Sequence, residues 1–359
     1  MSEMFFRVVG LMALPEQMTG LWTLADAHMP RDSGKVFSCF ACAGGSTMGY
    51  KLAGFDVVGC NEIDPKVFAV YNKNHKPRHP FVCSIRDMLN KDLPDELYQL
   101  DILDGSPPCT SFSTAGVRDR DWGKAKRFSE GQALQRLDDL FFEFIALAAK
   151  LRPKIVIAEN VTGILKGKAR GYVKEIVQAF KAAGYTVQAF NLNAAQMGVP
   201  QARRRVFFLA RRDDLALKPI RMKFSESPIT FGEVSEWVEG CGFKGEHLRM
   251  PPKVRELWLR CKPGESLSSV HPKGHYFTHS KLSYAKPAPT LLASTGSTVI
   301  HPEHDRMLSI AEWSACSTFP MDMQWGSSLS LVRYLMGMSV PPFMMQRIAL
   351  EVRRQWMSG

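Results

Sequence analysis

Val36-Phe37-Ser38-Cys39-Phe40-Ala41-Cys42-Ala43-Gly44-Gly45-Ser46 runs from an apolar stretch directly into a glycine-rich turn. A short apolar run closed by adjacent glycines and followed by helix-forming residues reads as a buried strand, a tight turn and a helix start. The same pattern recurs downstream. Residues 47–53 are the expected helix and residues 55–60 the next strand, and further strands are expected at 101–103, 155–158, 186–190 and 206–210. Residues 137–151 and 172–183 carry helical periodicity, with Gly184 placed to cap the second helix. This alternation from Lys35 to Arg211 predicts an α/β fold, a Rossmann-like and mainly parallel sheet.

After Arg212 the alternation fades, and Pro, Gly, Ser, His and Lys become frequent. The chain is therefore divided into an N-terminal extension of no assigned role (1–32), an α/β domain (33–212), a smaller irregular domain (213–288) and a return segment (289–359). A length of 359 residues exceeds what a single core usually organises, which fits two lobes. The 46 Lys plus Arg against 35 Asp plus Glu leave a net charge of +11. Such a charge suits a polyanion and argues against an acidic protein or peptide target. Basic and aromatic residues mix in the irregular domain: Lys244, Arg249, Lys253, Arg255, Trp258, Arg260, Lys262, Lys273, His275, Tyr276 and Lys281. That mixture suits phosphates and base edges.

Eight cysteines in a chain of this length are too sparse for a disulfide framework, so free thiols in a reducing cytoplasm are expected. Cys39 and Cys42 form a CxxC without a second pair at zinc spacing, and no metal is expected. The apolar patch at 8–14 is too short to span a bilayer and lacks the flanks of a signal peptide, so no membrane partner is expected.

Two strand ends carry chemistry. The run Asp104-Gly105-Ser106-Pro107-Pro108-Cys109 ends an apolar strand on a proline-stiffened turn, which presents a thiol. Glu159-Asn160-Val161 follows Ile155-Val156-Ile157-Ala158 and places a carboxylate at the corresponding end of another strand, where open α/β sheets bind ligands. Gln201-Ala202-Arg203-Arg204-Arg205 precedes an apolar strand, so alternation sends Arg203 and Arg205 to one side, facing an anion or a carbonyl oxygen. Gly44 and Gly45 permit close backbone approach at a helix start, and Glu62, ending the second strand, can accept from ribose hydroxyls. Nothing in this turn demands a pyrophosphate.

The order of these elements resembles the DNA (cytosine-5)-methyltransferase family. Pro108-Cys109-Thr110 is similar to its nucleophile motif, Glu159-Asn160-Val161 to its ENV motif, and Gln201, Arg203 and Arg205 to its QxRxR motif. Arg306-Met307-Leu308-Ser309 with Phe319-Pro320, and Gly337-Met338-Ser339-Val340-Pro341-Pro342, resemble the segments that close the recognition region and complete the cofactor pocket. The chain departs from the family at Ser38, where an acid is usual, at Cys42 in place of glycine, at Ser84 in place of the Asp that meets adenine, and at Met338 in place of Asn.

The resemblance implies a class I methyltransferase fold with residues 213–288 as the target-recognition domain. It implies S-adenosylmethionine as cofactor and double-stranded DNA as partner, in a monomeric bacterial or phage enzyme that a cognate restriction endonuclease can accompany. Cys109, Glu159, Arg203 and Arg205 would be catalytic. Phe40 would stack on adenine, Ala43, Gly44 and Gly45 would face the methionine tail, and Glu62 and Ile63 would meet the ribose. Ser84, or Asp87 beside it, would take the adenine amine, and Ile85, Pro108, Leu140, Ser339 and Val340 would complete the pocket. The basic, glycine-flanked segment 116–127 is expected to close over DNA as a lid. Two other readings fit the same motifs: a tRNA cytosine-5 methyltransferase, and a catalytically silent DNA-binding relative.

Overall fold

A computed structural model describes residues 20–27, 30–108, 139–166, 169–241, 247, 249–276, 278–293, 299–326 and 328–357. Cys109, segment 116–127, Lys244 and the first residues of the helix expected at 137 lie outside them.

Seven strands make the main sheet: β1 (Lys35–Cys39), β2 (Asp56–Asn61), β3 (His79–Phe81), β4 (Ile102–Gly105), β5 (Ile155–Val161), β6 (Tyr185–Asn193) and β7 (Arg204–Arg212). Their order across the sheet is β3-β2-β1-β4-β5-β7-β6. Neighbours from β3 through β5 run parallel, while β7 runs antiparallel to both β5 and β6. Each expected strand is present within a few residues of its place. β3 escapes the sequence pattern because His79-Pro80-Phe81 is a three-residue edge strand holding a proline, which only an edge tolerates.

Strand alternation splits the apolar residues between two faces. Ile155, Ile157, Phe207 and Leu209 enter one core, and Val156, Ala158, Phe208 and Ala210 enter the other. The second core is covered by α3 (Ile85–Leu89), α4 (Leu140–Leu151) and α5 (Ala169–Ala182), through Met88, Phe144, Leu147, Ile176 and Phe180. The first is covered by α1 (Gly45–Leu52) and α2 (Pro65–His75) together with helices from far along the chain. Asp64 starts α2 by accepting from the amides of Lys66 and Val67 ahead of Pro65, a cap-plus-proline signal the apolar periodicity does not report.

Among the described residues of 213–288, two α-helices stand where composition suggests irregular chain. In α6 (Phe231–Gly240) the side chain of Thr230 accepts from the amide of Glu233 and the Glu233 carboxylate accepts from the amide of Thr230. α6 sends Phe231, Val234 and Val238 into the first core beside α8 (Ile310–Cys316). By contrast α7 (Pro252–Arg260) gathers Met250, Val254, Leu257, Trp258, Leu267 and Ile300 into a small separate core.

The later segments complete the first face through α9 (Leu329–Met338) and α10 (Pro342–Val352). Trp22, 2% exposed, joins the same core and donates from Nε1 to the Thr318 carbonyl at 2.8 Å. α10 lies against α1, with Gly49 at the crossing: a methyl group there would stand 2.5 Å from Met345 Cβ and 2.6 Å from the Pro342 carbonyl oxygen. Because the obstacle includes backbone, it yields little. Gly49→Ala should cost about 1–3 kcal/mol and lower the thermal unfolding midpoint. An unchanged midpoint would show that α10 has room to move away from α1.

Candidate active site

β2 and β3 lie to one side of β1, while β4 and β5 lie to the other. The crevice over the carboxyl ends of β1 and β4 is therefore a topological switch point, the usual ligand position in an open α/β sheet. The chain leaving β1 is strained there: Phe40 and Cys42 adopt φ of 53° and 49°, a region side-chain-bearing residues enter at a cost.

A cleft of about 680 Å³ opens at this point. Phe40, Glu62, Ile63, Ser84, Ile85, Pro108 and Leu140 all line it, as do Cys42 and Met338. Its neighbour, about 260 Å³, shares Phe40, Cys42, Ser106 and Met338 and reaches inward to Ser38, Gly45, Ser46, Asp104, Ser339 and Val340. Ala43 and Gly44 are on neither wall. Ala43 is fully buried, its carbonyl 3.2 Å from His75 Nε2, and Gly44 packs against the same imidazole. A Cβ on Gly45 would collide with the Val340 carbonyl, so the close approach this glycine permits is to the chain itself.

Glu62 is 7% exposed and already ties the turn together: Oε2 accepts from the Cys42 amide and Oε1 from the Asp64 amide, each at 3.0 Å. Burial raises its pKa above the ordinary range. Ser84 caps α3, its Oγ accepting from the Arg86 amide at 3.3 Å while Asp87 Oδ2 accepts from the Ser84 amide at 3.2 Å. Ser84 thus keeps a hydroxyl proton to offer the cleft. Asp87 is held at the cap and does not line it. Burial, and then the carboxylate of Glu62, pushes the Cys42 thiol up to about 12. Cys42 therefore stays protonated and packs as a small apolar group.

Glu159 stands near the end of β5, 6% exposed, and Arg205 Nε meets its Oε1 at 2.9 Å. Register explains the pair, since Arg205 lies opposite Val161 in the β5–β7 ladder. Asn160, between them, donates from Nδ2 to the Pro107 carbonyl at 3.2 Å and so ties β5 to the proline turn that leads to Cys109. Arg203 takes another course. It is 2% exposed, and its guanidinium donates to the carbonyls of Leu291 (3.3 Å), Gly337 (3.0 Å) and Ser339 (3.0 Å) rather than to Glu159. Gln201 behaves alike, donating to the Cys316 carbonyl and accepting from the Leu291 amide.

On the other side of Arg205 a wider cleft of about 1220 Å³ runs between the sheet and residues 278–292 with Val299. Val161, Thr162, Arg204 and Arg205 form one wall, and Thr278, Ser280 and Thr290 belong to the other. Sequence reading overlooked these hydroxyl residues because lone Ser and Thr carry no pattern. Several basic and aromatic candidates have internal duties instead. Trp258 is buried and donates to the His301 carbonyl at 2.9 Å, Lys281 sits 4.4 Å from the centroid of its ring, and Arg255 pairs with Asp305. Arg249, Lys253, Lys262, Lys273 and His275 remain exposed.

Residues 34–240 match the family model of the C-5 cytosine-specific DNA methylase. The chain belongs to that family. Among methylase relatives, it is 35% identical over 188 residues to the Type II methyltransferase M.NgoPII of Neisseria gonorrhoeae, covering 51% of this chain and 50% of that one. M.FnuDI of Fusobacterium nucleatum is 36% identical over 209 residues, 56% of this chain and 55% of the other. The chain thus spans about half the length of these two relatives. M.DdeI of Desulfomicrobium norvegicum aligns over 88% of both chains at 28% identity. In fold, a protein described as a DNA modification methyltransferase encoded within an E. coli prophage superposes with a TM-score of 0.69 at 19% identity, covering 90% of this chain and 99% of that one.

The place on β1 where the methylase pattern has an acid is Ser38 here, and the structure sets a carboxylate beside it. Asp104 lies opposite Ser38 in the β1–β4 ladder and is 2% exposed. Its Oδ2 accepts from Ser38 Oγ at 3.0 Å and its Oδ1 from Tyr50 Oη at 3.2 Å. Burial, opposed by these hydrogen bonds and aided by the charge of Glu159, raises its pKa to about 7. An unfolded Asp titrates near 3.9, so between about pH 4 and pH 7 the folded state holds a proton that the unfolded chain has lost. Stability from this group is greatest in acid and falls as pH rises through 7. Relative to Asp104→Asn, the wild-type protein should lose about 2–3 kcal/mol between pH 5 and pH 8 in urea unfolding. A difference independent of pH would show that Asp104 is ionised throughout.

Proposed function

We propose that this protein is a DNA (cytosine-5)-methyltransferase of restriction–modification type, which modifies a flipped cytosine within a short duplex sequence. The carrying observation is the Glu159–Arg205 pair at the carboxyl end of β5, joined through Asn160 to the Pro107-Pro108 turn that precedes Cys109 in the chain. Names of relatives as Type II methyltransferases support the restriction–modification setting.

Cytosine C5 is a poor nucleophile until a group adds at C6. Cys109 makes that addition as a thiolate, and the ring gains electron density at C5. Arg205 holds the O2 carbonyl, and this draws its guanidinium off Glu159. Glu159, carrying a proton, then donates to N3 and stabilises the enamine form of the ring. A water molecule takes the C5 proton, its C–H pair forms the C5–C6 double bond, and the Cys109 sulfur leaves as thiolate, which restores the aromatic product. S-adenosylmethionine, when bound, supplies the electrophilic methyl group. The residues present fit it: Phe40 offers a ring face, Glu62 a carboxylate for the ribose, and Ser84 a hydroxyl toward adenine. Arg203 serves the reaction at one remove, by holding Ser339 and its neighbours against the pocket.

Duplex DNA must release its base before this chemistry can occur, at a cost of a few kcal/mol. The 1220 Å³ cleft beside Arg205, the exposed cations of residues 213–288 and the net charge of +11 support DNA as the partner. Residues 213–288 act as the recognition domain, segment 116–127 as the lid, and a monomer suffices for one base at a time.

With labelled S-adenosylmethionine, label should enter DNA and not tRNA, and bisulfite sequencing should place it at one short motif. Label confined to tRNA would overturn the choice of substrate. Cys109→Ala should keep DNA binding in a gel-shift assay and lose methylation completely. Product formed at the wild-type rate by that variant would refute the covalent route and the role of Cys109.

A further inference from the structure

We infer that Asp104, on β4, is the carboxylate that receives the α-ammonium group of S-adenosylmethionine, opposite the β1 position that holds Ser38 in this chain. The inference rests on the cofactor assignment above and names a residue that this assignment does not require.

Three observations carry it. Asp104 lines the inner hollow at the carboxyl ends of β1 and β4, with Ser46 and Ser339 on the same walls. Ser38 and Tyr50 each donate to one of its oxygens, with Ser46 on the same wall, so the carboxylate is aimed and braced. No cation is bonded to it among the described residues. The titratable groups that face it are Cys39 on β1, Tyr50 on α1, Tyr71 on α2 and Glu159 on β5, of which the last has its own partner in Arg205. A carboxylate that is braced by hydroxyls, open to a hollow and without a counter-ion is a receptor for an ammonium group.

Backbone register says how the acid came to be interchangeable. Ser38 and Asp104 are direct partners in a parallel ladder, so their Cα atoms lie about 5 Å apart. An acid on either strand reaches the same hollow, with a small hydroxyl opposite to hold it. Two acids at both positions would repel each other, which accounts for serine at one of them.

The test compares binding of S-adenosylmethionine with that of an analogue bearing hydrogen in place of the α-amino group, by calorimetry at pH 8. Wild-type protein should prefer the natural cofactor by on the order of tenfold to a hundredfold. Asp104→Asn keeps an acceptor for Ser38 and Tyr50 and should erase that preference by weakening the cofactor alone. The pair Ser38→Asp with Asp104→Ser should restore it. A preference that survives Asp104→Asn overturns the inference while leaving the cofactor assignment intact, whereas wild-type protein that binds no S-adenosylmethionine overturns both. If Asp104→Asn fails to fold, wild-type protein supplies the answer. At pH 6, below the value of about 7 for Asp104, binding of S-adenosylmethionine should release more protons than binding of the analogue. Equal release would refute the role.

Discussion

Inside the molecule, Arg203 donates to the carbonyls of Leu291, Gly337 and Ser339, and Gln201 two residues earlier binds Cys316 and Leu291. A guanidinium sunk this far is tolerable only while those acceptors stay in place. The constraint works in both directions. It fixes the start of β7, which delivers Arg205 to Glu159, and it fixes residues 337–340, which wall the inner hollow. One buried guanidinium thereby couples the position of the Glu159–Arg205 pair to the shape of the inner hollow.

Much of this arrangement is legible in the sequence because the sheet is written in short apolar runs. The strand ends that carry Glu159 and the Pro107-Pro108 turn stand out by the polar residues that interrupt those runs, whereas Phe40, Ser84 and Ile85 come from the resemblance to the methylase family rather than from any spacing. Arg203 was harder to place. Alternation puts it on the side of Arg205, but its partners lie far downstream in the chain, and no local pattern announces where three loose carbonyls will gather. Trp258 and Lys281 show the same limit, since a basic and aromatic stretch looks alike whether it faces DNA or packs on itself.

Asp104 is the instructive omission. Its neighbours Ile102 and Leu103 mark a buried strand, and an acid in such a strand is itself a signal, because burial of a carboxylate must be compensated. The compensating hydroxyls come from Ser38 and Tyr50, one on the neighbouring strand and one on a helix. Only the β1–β4 register brings Ser38 of one strand and Asp104 of the next to the same point, a pairing that a separation of 66 positions hides from a reading along the chain.

The fit of Val340 against Gly45 and of α10 against α1 also bears on how the protein is made. Gln346 reaches the Leu52 carbonyl across 294 positions of chain, a stretch that a ribosome takes roughly 15 to 60 s to emit at about 5–20 residues per second. During that interval the nascent strands β1 to β7 can assemble, but the hollow beside Gly45 lacks its far wall. The hollow therefore closes only with the last helices, so a polypeptide stalled in translation before them would carry the sheet but an open cleft.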